Sequence, residues 1–252
     1  VVDDKVILNN DTDKFAKLLA FDAKTGKPAW QVDRPSFRTC YSTPFVLEKP
    51  GAPKELIVAS TAGITCYDPK EGKTKWSYTW SFDGMPLRTV ASPIASQGLI
   101  FSNAGDGSGD RHMIAVKANG EGDVTKTNLA WENKKSFPYV PTLLAQGDYL
   151  YYIADNGFAG CCVATTGESV WHERLGGSMS SSPVLIDGKI YAISEAGDVF
   201  VFEAKPKFKL LAKNALGEGV FATPAVADNR LFIRASDHLF CIGKKEPKQA
   251  NR

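Results

Sequence analysis

The residues of this chain whose types and spacing suit chemistry are few and scattered. Asp106-Gly107-Ser108-Gly109-Asp110 alternates oxygen-bearing side chains with glycine, as a loop cradling Ca²⁺ would. It lacks the full EF-hand spacing and the closing Glu, so a plain loop at 103–112 is the stronger reading. Asp106, Ser108 and Asp110 are the ligands a calcium site there would use. Asn9-Asn10-Asp11-Thr12-Asp13 reads the same way. The three histidines, His112, His172 and His238, show no metal-ligand spacing. Ser180-Ser181-Ser182 has no Gly-x-Ser-x-Gly neighbourhood, and no Gly-rich loop joins a strand to a helix as nucleotide binding requires. No acid, base, nucleophile or metal set converges. The residues therefore point away from an enzyme and from a bound cofactor.

Composition narrows the class further. The 252 residues are 43% hydrophobic and 23% charged, an ordinary globular balance. A net charge of +2 spread along the chain gives no basic stripe for nucleic acid. No apolar run is long enough to span a membrane.

The elements that must position any site come from an internal repeat. One copy runs Ser42-Thr43-Pro44-Phe45-Val46, Glu55-Leu56-Ile57-Val58-Ala59-Ser60, Gly63-Ile64-Thr65-Cys66-Tyr67-Asp68 and Gly72-Lys73-Thr74-Lys75-Trp76. The same opening recurs at Ser92-Pro93-Ile94, Thr142-Leu143-Leu144, Ser182-Pro183-Val184 and Thr223-Pro224-Ala225. A spacing of about 40–50 residues with short alternating runs and no amphipathic helix is the period of a four-stranded propeller blade. We designate its strands a to d from the inside outward. Proline at the start of strand a loses no ladder bond that is needed there. Asp187-Gly188-Lys189 is the hairpin from a to b.

An Asp-x-x-x-Gly-x-x-x-Trp run turns c into d. It is carried by Asp22, Gly26 and Trp30, and by Asp68, Gly72 and Trp76. Gly167 and Trp171 keep it although Val163 replaces the Asp, and Trp131 is the matching anchor in another copy. In such a turn Asp accepts backbone N–H bonds, Gly takes the left-handed conformation, and Trp anchors the outer strand.

This Ala/Cys-x-Asp-x-x-Thr-Gly-x-x-x-Trp pattern, at Ala20–Trp30 and more loosely at Cys66–Trp76 and Cys161–Trp171, resembles that of the pyrroloquinoline-quinone-like propeller repeat family. The likeness is to bacterial secreted or periplasmic members related to the outer-membrane assembly lipoprotein. It implies an all-β propeller of four-stranded antiparallel blades and a periplasmic or secreted location. The complete protein would have about eight blades, of which about six are represented here, the first and last partial. The expected propeller domain is 1–243, N-terminally incomplete, followed by a polar tail at 244–252.

Quinone-dependent alcohol dehydrogenases of similar fold use an adjacent-cysteine disulfide beside the cofactor. Here Cys161 aligns with Cys66 and Cys162 with Tyr67 inside strand c, where neighbours point to opposite faces. Cys66, Cys161 and Cys241 occupy equivalent positions a blade apart and read as small buried hydrophobes rather than disulfides.

The d–a loops, at 33–41, 80–89, 133–140, 176–181 and 217–221, share one face with the b–c loops. They carry Arg38, Tyr41, Trp80, Arg88, Tyr139 and Met179, the residue types enriched in interfaces. The function expected is therefore a non-catalytic scaffold binding a protein through this face, with a polysaccharide as the alternative partner. The rival expectation is a quinone- and Ca²⁺-dependent alcohol dehydrogenase.

Overall fold

The computed structural model describes residues 1–82, 84–107, 109–135 and 137–243; Ser108 and the tail at 244–252 lie outside the described residues. The chain forms consecutive antiparallel meanders, each a propeller blade. Blade 1 holds β1 (Lys5–Asp11), β2 (Ala16–Asp22) and β3 (Pro28–Asp33). Blade 2 holds β4 (Phe45–Leu47), β5 (Glu55–Ser60), β6 (Gly63–Tyr67) and β7 (Thr74–Thr79). Blade 3 holds β8 (Ile94–Ser96), β9 (Leu99–Gly105), β10 (Arg111–Lys117) and, after the short β11 (Gly122–Asp123), β12 (Leu129–Asn133). Blade 4 is β13 (Leu144–Gln146), β14 (Tyr149–Ile153), β15 (Phe158–Val163) and β16 (Ser169–Arg174). Blade 5 is β17 (Val184–Ile186), β18 (Lys189–Ile193), β19 (Asp198–Glu203) and β20 (Leu210–Ala215). Blade 6 closes with β21 (Ala225–Ala227), β22 (Arg230–Arg234) and β23 (Leu239–Gly243).

Turn chemistry follows the sequence. Asp187 and Gly188 stand at φ 48° and 71°, the paired left-handed residues of a hairpin turn whose twist matches its strands. In the c–d turns, Asp22 Oδ1 accepts from the backbone of Thr25 at 2.7 Å and Lys24 at 3.2 Å, and Asp68 Oδ1 accepts from Lys70 N at 2.6 Å. Where Val163 replaces the Asp, backbone bonds hold the turn without a carboxylate, from Gly167 N to Val163 O at 2.8 Å and from Val163 N to Glu168 O at 2.9 Å. A register shift recurs at the same place in blades 1 to 5, at Ala20/Phe21, Cys66/Tyr67, Ala115/Val116, Cys161/Cys162 and Val201/Phe202. This bulge re-aims the following side chains.

The cores lie between blades rather than within them. Three of the d-strand tryptophans hydrogen-bond forward to the next blade. Trp30 Nε1 donates to Pro69 O at 3.2 Å, Trp131 to Ala164 O at 2.9 Å and Trp171 to Lys205 O at 3.0 Å. Trp76 differs, because blade 3 has no short c–d turn to receive it. Instead the chain leaves β10 and lays β11 parallel to β7, with Gly122 opposite Trp76. The indole is fully buried and its N–H has no partner.

A second link encircles the inner strands. The Ser or Thr just before each opening Pro or Leu donates its backbone N–H to the equivalent hydroxyl of the next blade. The bonds run Thr43 to Ser92 (3.2 Å), Ser92 to Thr142 (3.1 Å), Thr142 to Ser182 (2.9 Å) and Ser182 to Thr223 (3.0 Å).

Two expectations are corrected. The strands of the 103–112 hairpin zip up to Gly105 and Arg111, so the loop shrinks to 106–110. Cys66 and Cys161 are buried, but the equivalent Cys241 is exposed, because no described blade covers that side of blade 6.

Candidate functional site

The d–a loops are tied to the b–c turns by side chains from one or the other. Thr61 Oγ1 accepts from Phe37 N at 2.7 Å and Arg38 N at 3.1 Å. Asp13 Oδ1 accepts from Thr39 N at 2.7 Å and its hydroxyl at 2.9 Å, and the Thr39 backbone bond leads in holding the Asp13 carboxyl below the usual range. Asp155 accepts from Tyr139 N at 2.7 Å and Val140 N at 2.9 Å. Glu218 accepts from Asp237 N at 2.9 Å and His238 N at 3.1 Å and also pairs with the His238 ring. The Ser180 hydroxyl donates to Glu195. Carboxylates that looked available in the sequence thus serve as stitches between a turn and its neighbouring loop. The sequence reading missed Thr61 and Asp155 and took Asp13 for a weak calcium-loop residue rather than a stitch; their signal, a polar residue at the same turn of different blades, is legible only once the blades are aligned.

On this stitched frame, four residues from three loops meet near the inner strands. Arg38 Nη1 donates to Pro86 O at 3.0 Å, which lays its guanidinium across the next loop. Tyr41 N donates to Thr89 O at 2.9 Å, one residue from Arg88. Arg88 forms an isolated bridge with Gly105, with N–H to O distances of 3.0 Å in both directions. Gly105 in turn is where Tyr139 packs: a Cβ on it would lie 2.8 Å from Tyr139 Cβ and 3.1 Å from Arg111 Cδ. Arg111 stands 5.6 Å from the centre of the Tyr139 ring and 3.4 Å from Asp155 Oδ2. Burial pushes the Tyr139 phenol up, while Arg88 and Arg38 pull it back.

Arg38, Tyr41, Arg88 and Tyr139 are therefore neighbours, whereas the other two interface candidates are not on the surface. Trp80 is buried between blades 2 and 3, its Nε1 donating to Ser60 O at 2.7 Å and its ring 5.5 Å from Phe82 and 5.3 Å from His112. Met179 is buried between blades 4 and 5. Both sit where the loop first leaves its blade and dives under the adjacent turn, so apolar burial claims them.

A cavity of about 260 Å³ adjoins the cluster, lined by Phe82, Met85, Leu87, Asp106, Arg111 and His112 among others. His112 Nε2 lies 2.9 Å from Glu132 Oε2. Asp106 and Asp110 flank the hairpin tip, and the Asp106 carbonyl accepts from Arg111 Nη1 at 2.9 Å. Ser108, the middle ligand of the calcium reading, lies outside the described residues. Among the described residues no three His, Cys, Asp or Glu side chains group as a metal site would need. The adjacent cysteines do not fit a cofactor-flanking pair either. Cys161 points into the core between blades 4 and 5, Cys162 into that between blades 3 and 4, and both are free thiols.

The profile of one protein family, described as outer membrane protein assembly factor BamB, matches residues 1–206 and again 160–243. No curated protein matches. Among solved structures, BamB from Moraxella catarrhalis aligns with a TM-score of 0.53 and 16% identity over 92% of this chain and 78% of that one. The computationally designed Ika8 protein gives 0.66 and 15%, over 96% of this chain and 68% of the other. Quinohemoprotein alcohol dehydrogenase from Comamonas testosteroni gives 0.65 and 14%, over 85% of this chain but 42% of the enzyme. At such identities these likenesses are of fold alone.

Proposed function

The chain belongs to the family of the outer membrane protein assembly factor BamB, and from that membership we propose that it is a non-catalytic propeller scaffold binding a protein partner in the periplasm. The family's name ties it to the assembly of outer membrane proteins, and a propeller held rigid by inter-blade stitches suits the role of a docking platform. The observation that carries the reading is the convergence of Arg38, Tyr41, Arg88 and Tyr139 at the d–a loop face. Arginine and tyrosine are over-represented among residues that dominate binding energy, and Tyr41 is 59% exposed beside Phe37 at 61%. The same face spends Asp13, Asp155 and Glu218 on holding loops, a building use rather than a reactive one. Among the described residues no helix is long and apolar enough to cross a membrane.

A photo-crosslinking amino acid tests the face in cells producing the protein. Placed at Tyr41 or Phe37 it is expected to capture a discrete protein, and placed at Lys24 or Lys70 on the opposite, c–d turn face it is expected to capture none. Equal capture from both faces, or none from the loop face, would sink the reading.

A further inference from the structure

Among the described residues, neither Arg38 nor Arg88 of the loop face has a carboxylate within ion-pair distance, although both help to hold the Asp13 carboxyl down from farther off. Arg38 spends Nη1 on a backbone carbonyl, that of Pro86, 3.0 Å away. Arg88 has its backbone fixed by the bridge to Gly105, while its Nε is buried and has no hydrogen-bond partner. Two nearby carboxylates are already engaged. Asp155 takes Tyr139 N, Val140 N and Arg111, and Asp13 takes the backbone and hydroxyl of Thr39. That Nε is shielded from solvent, so a ligand would meet the Arg88 guanidinium at its Nη edge, where a counter-charge is the favoured partner.

We propose that Arg38 and Arg88, with Tyr139 between them and Tyr41 at the rim, form a carboxylate-recognition site that seats an acidic side chain of an extended segment of a protein partner. The proposal rests on the scaffold reading and deepens it. A guanidinium offers a planar fork that matches a carboxylate in bidentate geometry. The exposed Tyr41 and Phe37 rings supply flat apolar surface for the methylene stem and backbone beside the charge. An uncharged extended segment would offer neither guanidinium a counter-charge, so the site selects against it.

The probe is a blocked decapeptide of alternating Glu and Gly, titrated calorimetrically into the full chain at low salt, with the Gln-Gly counterpart as reference. The Glu peptide is expected to bind saturably and the Gln peptide not to bind at the same concentrations. Arg88→Ala and Arg38→Ala are each expected to weaken binding about tenfold or more, Arg88→Lys less, and Lys70→Ala on the opposite face not at all. Thermal melts of each variant report whether it folds; Arg38→Ala serves if Arg88→Ala does not. Equal affinity for the two peptides, no binding up to millimolar concentration, or unchanged affinity in a folded arginine variant would overturn the site. Capture by the crosslinker at Tyr41 without Glu-peptide binding would refute the carboxylate site alone, whereas absence of capture refutes the scaffold reading itself.

Discussion

At the scale of single residues, environment decides which side chains can react, and the cysteines show it. Burial pushes the Cys66 thiol up to about 12, Cys161 to about 11 and Cys162 to about 12. A thiol held that high carries almost no thiolate near neutrality, and the thiolate is the nucleophile. Cys40 is also buried, its Sγ accepting from Thr61 N at 3.1 Å. Cys241 alone is exposed. A disulfide-exchange reagent at pH 8 is therefore expected to label one thiol rapidly in the native protein and all five in denaturant. Cys241→Ser should remove the fast phase; two or more fast thiols would contradict the packing. The opposite orientation of Cys161 and Cys162 was legible in the sequence, since strand alternation forces it. The exposure of Cys241 was not, because the repeat pattern says which position a residue holds but not whether a neighbour covers it.

At the scale of elements, the c–d turn and the tryptophan of the preceding blade are one device. Gly72 stands at φ +72°, and a Cβ there would lie 2.7 Å from Cε3 of Trp30 and 2.8 Å from a methyl of Val32. Gly26 has nearly the same conformation, φ +69°, but nothing within 4 Å. Gly26→Ala thus meets only the left-handed backbone cost, about 1 kcal/mol, whereas Gly72→Ala must also displace an indole and is expected to cost about 2–3 kcal/mol more. Urea denaturation of the two variants checks the difference, and equal midpoints would show that the indole does not rest on this turn. The motif residues announced the turns, the strands and the tryptophan anchors. They did not announce β11, because Gly122-Asp123 has no apolar alternation, and its pairing to β7 depends on where blade 2 leaves an open outer edge. Nor did they foretell that Trp80 turns inward, since one aromatic at a loop start serves equally well as a surface contact or as a lid on the inter-blade core.

At the scale of the molecule, a ring of blades is a chain of nearest-neighbour interfaces, and its weakest seam governs how it opens. Between blades 2 and 3 the core gathers Ile57, Trp76, Ile100 and Ile114 with others, while between blades 1 and 2 the fully buried apolar set is Leu18, Leu56, Val58 and Tyr67. The latter seam also holds an ion pair, Arg34 to Asp11 at 3.6 Å, with both side chains wholly buried. Arg34 Nη1 donates to Asn9 Oδ1 at 2.7 Å, but Arg34 Nε and Nη2 and both Asp11 oxygens have no hydrogen-bond partner. Burial pushes the Asp11 carboxyl above its ordinary value, against the pull of Arg34; burial also raises the Tyr67 phenol, with Arg34 pulling it down and Asp11 adding to the rise. A carboxyl raised in the folded state contributes stability that is present below its unfolded pKa and is lost as pH rises through the folded one.

Removing the cation should sharpen that loss. Arg34→Met leaves an uncompensated buried carboxylate and is expected to cost about 3–5 kcal/mol at pH 7. The deficit against wild type should shrink as pH falls from 7 to 4, because the raised Asp11 carboxyl takes up a proton more readily in the folded protein than in the unfolded one. Pairing it with Asp11→Leu removes both charges, so the double variant should recover most of the loss at pH 7 and show little of that pH dependence. Urea midpoints of the three proteins at the two pH values decide it. If the double variant is no more stable than Arg34→Met, the pair holds the seam together through interactions that apolar packing cannot replace, and the polar corner is the clasp between these blades rather than their weak point.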